Sequence, residues 1–279
     1  MNFTHSVCFG AFFIFADITT DLLSIVIIGS GKLATGLAGA IAKTDCELLG
    51  IWSRNTKKGE LLAKQFQVSF FRKLAELPLN ADLYFLAVSD NAIAEVAQVL
   101  PAVTGIVCHC SGGRPLDDLK GISETGVLWP IQSFTGASEI DFSGIPLAIE
   151  SESEENLRIL EAFADHISHK VFRTNSKQRP NLHLAAVLVN NFPNLLYTFA
   201  NDFLKSQGED LSLFLPLMQE SISRLNHSAP DQVQTGPAIR RDTATIQKHL
   251  DLLAEYPNLS ELYVLMTRLI QQRFDHGNA

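Results

Sequence analysis

Apolar residues fall along this chain in two patterns, and one gives way to the other near Ser176. Before that point they form short continuous runs rich in Ile, Val, Leu and Phe, as strands buried on both faces of a parallel sheet require. Ser24–Ile28 (SIVII) is the first run, residues 46–52 the second and residues 68–71 a short third. Residues 81–90, 105–113, 126–134 and 145–150 continue the series, and residues 169–174 close the sheet. Helical spacing fills the gaps: from Lys32 onwards, over 57–65, and from a Ser89-Asp90 cap to about Leu100. A last helix spans 152–166, its first turn acidic as the helix dipole favours. Strands alternating with helices predict a doubly wound α/β fold.

Beyond Ser176 there is no strand-like run, and apolar residues recur at helical spacing. Pro180 suits a first helical turn, and the pattern continues towards Lys205. Pro193 lies inside that helix and predicts a kink or local break. Further helices fit 211–225, 242–254 and 259–274. The expected organisation is an extension over 1–22, a Rossmann domain over 23–175 and an all-helical domain over 176–279. The extension carries the apolar run VCFGAFFIF (7–15), too short to span a bilayer and with no Lys or Arg before it. It reads as a poorly ordered segment outside the fold, the competing reading being a signal peptide.

The junction after the first strand, "IVIIGSGKLATGLAGAIAKT" (25–44), asks for an explanation. Glycine inside an element costs about 0.5–1 kcal/mol relative to alanine, yet Gly29 and Gly31 stand two apart here. A phosphate-binding turn accounts for both: Gly29 makes the tight turn and Gly31 lets the backbone approach a pyrophosphate. Ala34 in place of a third glycine lets the helix pack close to its strand. Ser30, Lys32 and Leu33 complete the turn, whose free N–H groups would face the phosphates. A plain strand–turn–helix is the competing reading. The second strand ends in Ser53-Arg54, where an NAD-binding domain usually places an acidic residue for the ribose 2′-hydroxyl. A guanidinium can instead pair with a 2′-phosphate, so NADP is the expected cofactor, unless Arg54 is only a solvated strand end.

Composition narrows the partners. A formal charge of −8 and a pI of about 5.5 argue against nucleic acid or an anionic membrane. The cysteines, Cys8, Cys46, Cys108 and Cys110, show no C-x-x-C spacing, so they read as reduced thiols of a cytoplasmic protein, and no metal site is expected.

Six segments then line up: GSGKLATGL, LAVSDNAI, CHCSGG, WPIQSF, HLAAVLVNNF and GPAIRRDTATIQKHL. Together they resemble the Rossmann-like proteins with a DUF2520 domain, a group assigned as NADP-dependent oxidoreductases without a settled reaction. In layout that family is similar to pyrroline-5-carboxylate reductase and to the 6-phosphogluconate and β-hydroxyacid dehydrogenases. The resemblance runs from Ser24 to the C-terminus. It implies an NADP-binding domain, a helical domain of the 6-phosphogluconate-dehydrogenase C-terminal type, a homodimer through the helices, and a small-molecule site between the domains.

Hydride transfer needs a held nicotinamide, a proton donor and groups that fix the substrate. Val88, Ser89 and Asp90 end a strand near the expected nicotinamide ribose, although helix capping explains the last two as well. Ser111, in CHCSGG, could offer its hydroxyl to substrate. His109 points opposite to its two neighbouring cysteines and reads as a core histidine or a catalyst. Gln132 could bind substrate, but Trp129 stands where family members commonly carry histidine. The β-hydroxyacid dehydrogenases carry a catalytic lysine in a K-x-x-N-N pattern. Here Asn190 and Asn191 are present with Val187 at the lysine position. His183, one helical turn earlier, is the nearest ionisable substitute and the candidate general acid. On one helix His183, Asn190 and Asn194 would share a stripe, either lining a cleft or joining a buried hydrogen-bond network. Arg241 could hold a substrate carboxylate or phosphate, or form a surface ion pair. A deazaflavin reductase would share this layout, but no residue specifically requires a deazaflavin. A non-catalytic NADP sensor or scaffold is the other reading.

Overall fold

The computed structural model describes residues 22–134 and 140–275; the apolar run at 7–15 and Cys8 lie outside them. The chain opens with β1 (Ser24–Ile28), α1 (Lys32–Ile41), β2 (Glu47–Trp52), α2 (Thr56–Phe66) and β3 (Ser69–Phe71). It returns through β4 (Leu83–Leu86), α3 (Ile93–Val99), β5 (Ile106–His109), β6 (Thr125–Pro130), β7 (Leu147–Glu150), α4 (Glu154–Ile167) and β8 (Val171–Arg173). The strands form one sheet in the order β3-β2-β1-β4-β5-β6-β7-β8, with β8 at the edge as the sequence pattern required. Every pairing is parallel except β6 with β7. The chain winds outward from β1 to β3, then crosses back to place β4 on the other side of β1. That reversal opens a crevice at the carboxyl ends of β1 and β4.

The continuous apolar runs are explained by what covers the sheet. Ile25 and Ile27 of β1 join a core with Ala34, Leu37, Leu160 and Phe163, whereas Val26 and Ile28 join a second core with Ile93, Val96 and Leu119. Alternate residues of β1 thus face two separate cores, so both of its faces are apolar. At roughly 1.5–3 kcal/mol for each large side chain removed from water, these two cores dominate the stability of the sheet.

The long helix expected from Pro180 towards Lys205 is interrupted. α5 (Arg179–Ala186) passes into a π-helical segment, Val187–Asn191, before α6 (Phe192–Ser206) resumes with Pro193 in its first turn. Proline donates no hydrogen bond and its ring crowds the carbonyl four residues back, so the turn before it widens. α7 (Leu215–Arg224), α8 (Thr243–Leu252) and α9 (Pro257–Arg273) follow. α8 starts on the Asp242 cap, whose carboxylate accepts from the Thr245 amide at 3.0 Å.

Two compact units divide after Ala186, so α5 belongs with the sheet and α6 to α9 form the second unit. Within that second unit, among the described residues, only Ala238 and Leu253 are buried. Among the described residues no helix is long and apolar enough to cross a membrane.

Candidate dinucleotide cleft and the loop beside it

A cleft of about 340 Å³ opens at the carboxyl ends of β1, β2 and β4. The turn after β1 forms its floor. Gly29 has φ +141°, a conformation that side chains disfavour, and its amide donates to the Trp52 carbonyl at 2.7 Å. A Cβ at Gly29 would lie 2.2 Å from the Ala87 carbonyl oxygen, so only glycine lets the turn pass so close to the end of β4. Gly31 is different: a Cβ there would meet nothing within 4 Å and would project into open space. It is the N-cap of α1, makes no side-chain capping bond, and no acidic residue occupies the first turn. The free amides and dipole at the start of α1 therefore face the cleft without a protein anion to satisfy them.

The cleft walls come from Ser30, Lys32, Leu33, Ser53, Arg54, Val88 and Ser89 of the expected set, joined by Trp52, Asn55 and Ala87. Ser30 and Ser53 share a hydroxyl–hydroxyl bond of 2.6 Å that ties the turn to the end of β2. Arg54 stands on the wall, largely exposed, 3.4 Å from the Glu95 carboxylate of α3. Such an exposed pair is worth about 0–1 kcal/mol and yields readily to a stronger anion. Ala34 does not line the cleft; it is fully buried on the inner face of α1, where its small size permits close packing. The donors, the cationic wall and the space a Cβ at Gly31 would fill all suit a dinucleotide phosphate.

Beside the cleft, the loop after β5 gathers a second group of residues. Gly112 allows close approach here: a Cβ would fall 2.5 Å from Trp129 Cε2 and 2.9 Å from His183 Nδ1. The Trp129 and His183 rings meet edge to face, with centroids 5.8 Å apart. One residue on, a Cβ at Gly113 would lie 3.6 Å from His183 Cδ2 and 3.9 Å from Asp90 Oδ2. Asp90 thus sits with the β5 loop and His183 and does not line the nucleotide cleft. Ser111 is nearly buried, and its hydroxyl oxygen accepts from the Gly113 and Arg114 amides at 3.1 and 3.2 Å. The serine shapes the loop and keeps its own proton to donate.

His109 is a core group. It is fully buried; its Nδ1 accepts from the Ser111 amide at 3.2 Å, and Nε2 stands 3.2 Å from the Pro115 carbonyl, which it reaches as a donor. Burial, with the Arg179 charge beside it, pushes its pKa down to about 4. Cys108 and Cys110 face the opposite core. Burial raises both thiols, that of Cys110 to about 12, which leaves them unreactive.

The remaining expected residues have local surroundings of their own. The side-chain oxygen of Gln132 accepts from the neighbouring Ser133 amide at 2.8 Å. Asn190 and Asn191 close the π segment, and Asn194 lies in α6. The expected stripe with His183 required an unbroken α-helix. The π turn changes the angular step, so α-helical spacing no longer defines that face. Arg241 pairs with Asp275 at 2.8 Å in the second unit. What the sequence reading missed is a buried pair, Arg179 and Glu150, bridged at 2.6 Å just behind the β5 loop.

Comparison with known proteins agrees with this geometry. Residues 24–107 match the family described as NADP oxidoreductase, coenzyme F420-dependent, and residues 145–270 match the domain of unknown function DUF2520. The chain is 35% identical to a Bacteroides fragilis protein, BF3122, assigned as an NADP oxidoreductase; the match covers 90% of this chain and 98% of that one, with a TM-score of 0.84. Protein TM1727 of Thermotoga maritima is 23% identical over 90% of this chain and 99% of that one, with a TM-score of 0.75. A reductive aminase from Aspergillus terreus, in complex with NADPH and ethyl-5-oxohexanoate, shares the fold at 15% identity, with a TM-score of 0.64 over 92% and 95% of the two chains. No curated protein matches the chain.

Proposed function

From the premise that the chain belongs to the NADP oxidoreductases whose nucleotide-binding domain is followed by a DUF2520 domain, we propose that it is an NADPH-dependent reductase of a small, anionic carbonyl or imine compound. The observation that carries this reading is the open cleft before α1, whose donors have no protein anion and whose wall bears Arg54. Arg54 favours NADP over NAD, because a 2′-phosphate offers the guanidinium a charge-assisted partner that a hydroxyl does not. The carbonyl or imine class accords with the reductive aminase neighbour and its keto ester.

When bound, NADPH supplies a hydride to the carbon of a C=O or C=N bond. His183 then gives a proton to the heteroatom, and the loop at Ser111 to Gly113 orients the substrate beside it. Trp129 supplies an apolar wall. Asn190, Asn191, Asn194, Gln132 and Arg241 stand as further substrate contacts in this reading. The helical unit pairs with a second copy: Leu195 and Leu196 of α6 and Val264, Leu265, Met266 and Leu269 of α9 remain exposed in the single chain. A unit with so few buried residues needs apolar area from elsewhere to be stable.

NADPH oxidation across a panel of keto acids and cyclic imines, by wild type and His183→Ala, tests the reading. Loss of the general acid lowers kcat by about 10²–10⁴-fold; unchanged turnover removes His183 from the reaction. Trp129 and Val187 favour one rival, a cofactor sensor, since neither can transfer a proton. NADPH binding with no turnover on any substrate would select it.

A further inference from the structure

We infer that Arg179, clamped by Glu150, is a positioning residue that holds the β5 loop and His183 together. This rests on the reading of His183 as proton donor. Arg179 is fully buried, and each of its five donor positions is used. Nε and one Nη donate to the Glu150 carboxylate at 3.1 and 2.6 Å, and that Nη also reaches the Ser176 hydroxyl at 3.3 Å. The other Nη donates to the Ser111 carbonyl at 3.0 Å and to the Arg114 carbonyl. Those two carbonyls bracket Gly112 and Gly113, the residues that His183 overlies.

The anchor extends further. Ser176 donates to the second Glu150 oxygen and accepts from the Leu116 amide at 3.1 Å. One guanidinium therefore fixes the end of β7, both sides of the β5 loop and the first turn of α5. His183 lies four residues along that helix, one turn from the clamp. His183 is exposed and its ring meets that of Trp129 edge to face, so its place depends on where α5 starts. Stability alone does not call for this arrangement. Apolar replacements of buried ion pairs are often neutral or stabilising, whereas a fixed set of directional bonds specifies one geometry. Lysine could neutralise Glu150 but could not reach two carbonyls and a carboxylate at once.

A tryptophan signal reads the geometry directly. The chain has two tryptophans, so Trp52→Phe leaves Trp129 as the reporter, and a neighbouring imidazole quenches it. Emission is compared at one pH between this parent and its His183→Gln variant, and the difference is the step due to His183. In this background Arg179→Lys and Glu150→Gln are each expected to lose at least about half of that step while unfolding cooperatively. In the unsubstituted background Arg179→Lys is expected to lower kcat about tenfold or more with the KM for NADPH within about twofold. A full step in the folded variants, or no His183-dependent step in the parent, overturns the proposal. Failure of both variants to fold assigns the pair to stability and also overturns it. If Arg179→Lys loses the step but His183→Ala keeps full turnover, the positioning stands and the proton-donor reading fails.

Discussion

Gly29 and Gly31 look alike in the sequence and do different work. Gly29→Ala meets the Ala87 carbonyl and a positive φ together. It should lower stability by about 1–3 kcal/mol or more, read from the urea midpoint. Gly31→Ala meets open space, so its unfolding curve should stay within about 1 kcal/mol of wild type. Its NADPH affinity should fall about tenfold or more because the methyl occupies the phosphate's place. Equal stability losses in both variants would show that the turn serves packing alone. On the cleft wall, Arg54→Asp should weaken NADP about tenfold more than NAD; equal losses would remove the guanidinium from the 2′-phosphate. That Gly29, Gly31 and Arg54 line one cleft was legible because each stands at the end of its strand. Arg179 and Glu150 were not: they lie 29 residues apart and meet only because β7 ends beside the start of α5. Trp52, Asn55 and Ala87 were missed for a related reason, since the fold recruits them to the wall by position and not by chemistry.

The strands were legible as elements because burial on both faces leaves continuous apolar runs. The break at Pro193 was legible too, but its form was not. Proline says only that an α-helical bond is missing, and the widened turn at Val187–Asn191 is set by packing. That turn replaces the α-helical spacing from which the stripe of His183, Asn190 and Asn194 was argued. The antiparallel step between β6 and β7 likewise leaves no mark on hydropathy. At the end of β5, His109 alternates with two cysteines as read, and the structure resolves it as a buried neutral group. Its folded pKa of about 4 lies below the ordinary 6.5, so the unfolded chain takes up the proton first. The stability it contributes is complete above about pH 6.5 and is lost as pH falls towards 4. In that window the slope reaches at most about 1.4 kcal/mol per pH unit. His109→Gln should flatten the limb in denaturant titrations run across that range; an unchanged slope would show that His109 is already protonated in the folded state.

For the whole molecule, the division after Ala186 separates a unit with two deep cores from one with almost none. The helical unit reads from sequence as amphipathic helices, but amphipathicity does not say whether an apolar face meets its own chain or another. Sedimentation equilibrium should find a dimer at micromolar concentration, and Leu265→Glu on α9 should shift it towards monomer with a lower melting temperature. A wild-type monomer over the whole concentration range would overturn the paired arrangement.

The account depends most on the turn that opens α1. Calorimetric titration of NADP into the protein tests it directly, with NAD as the comparison. The account predicts saturable binding of one nucleotide per chain, NADP tighter than NAD by about tenfold or more. Absence of binding heat for either nucleotide at millimolar concentration, at two temperatures, would contradict it.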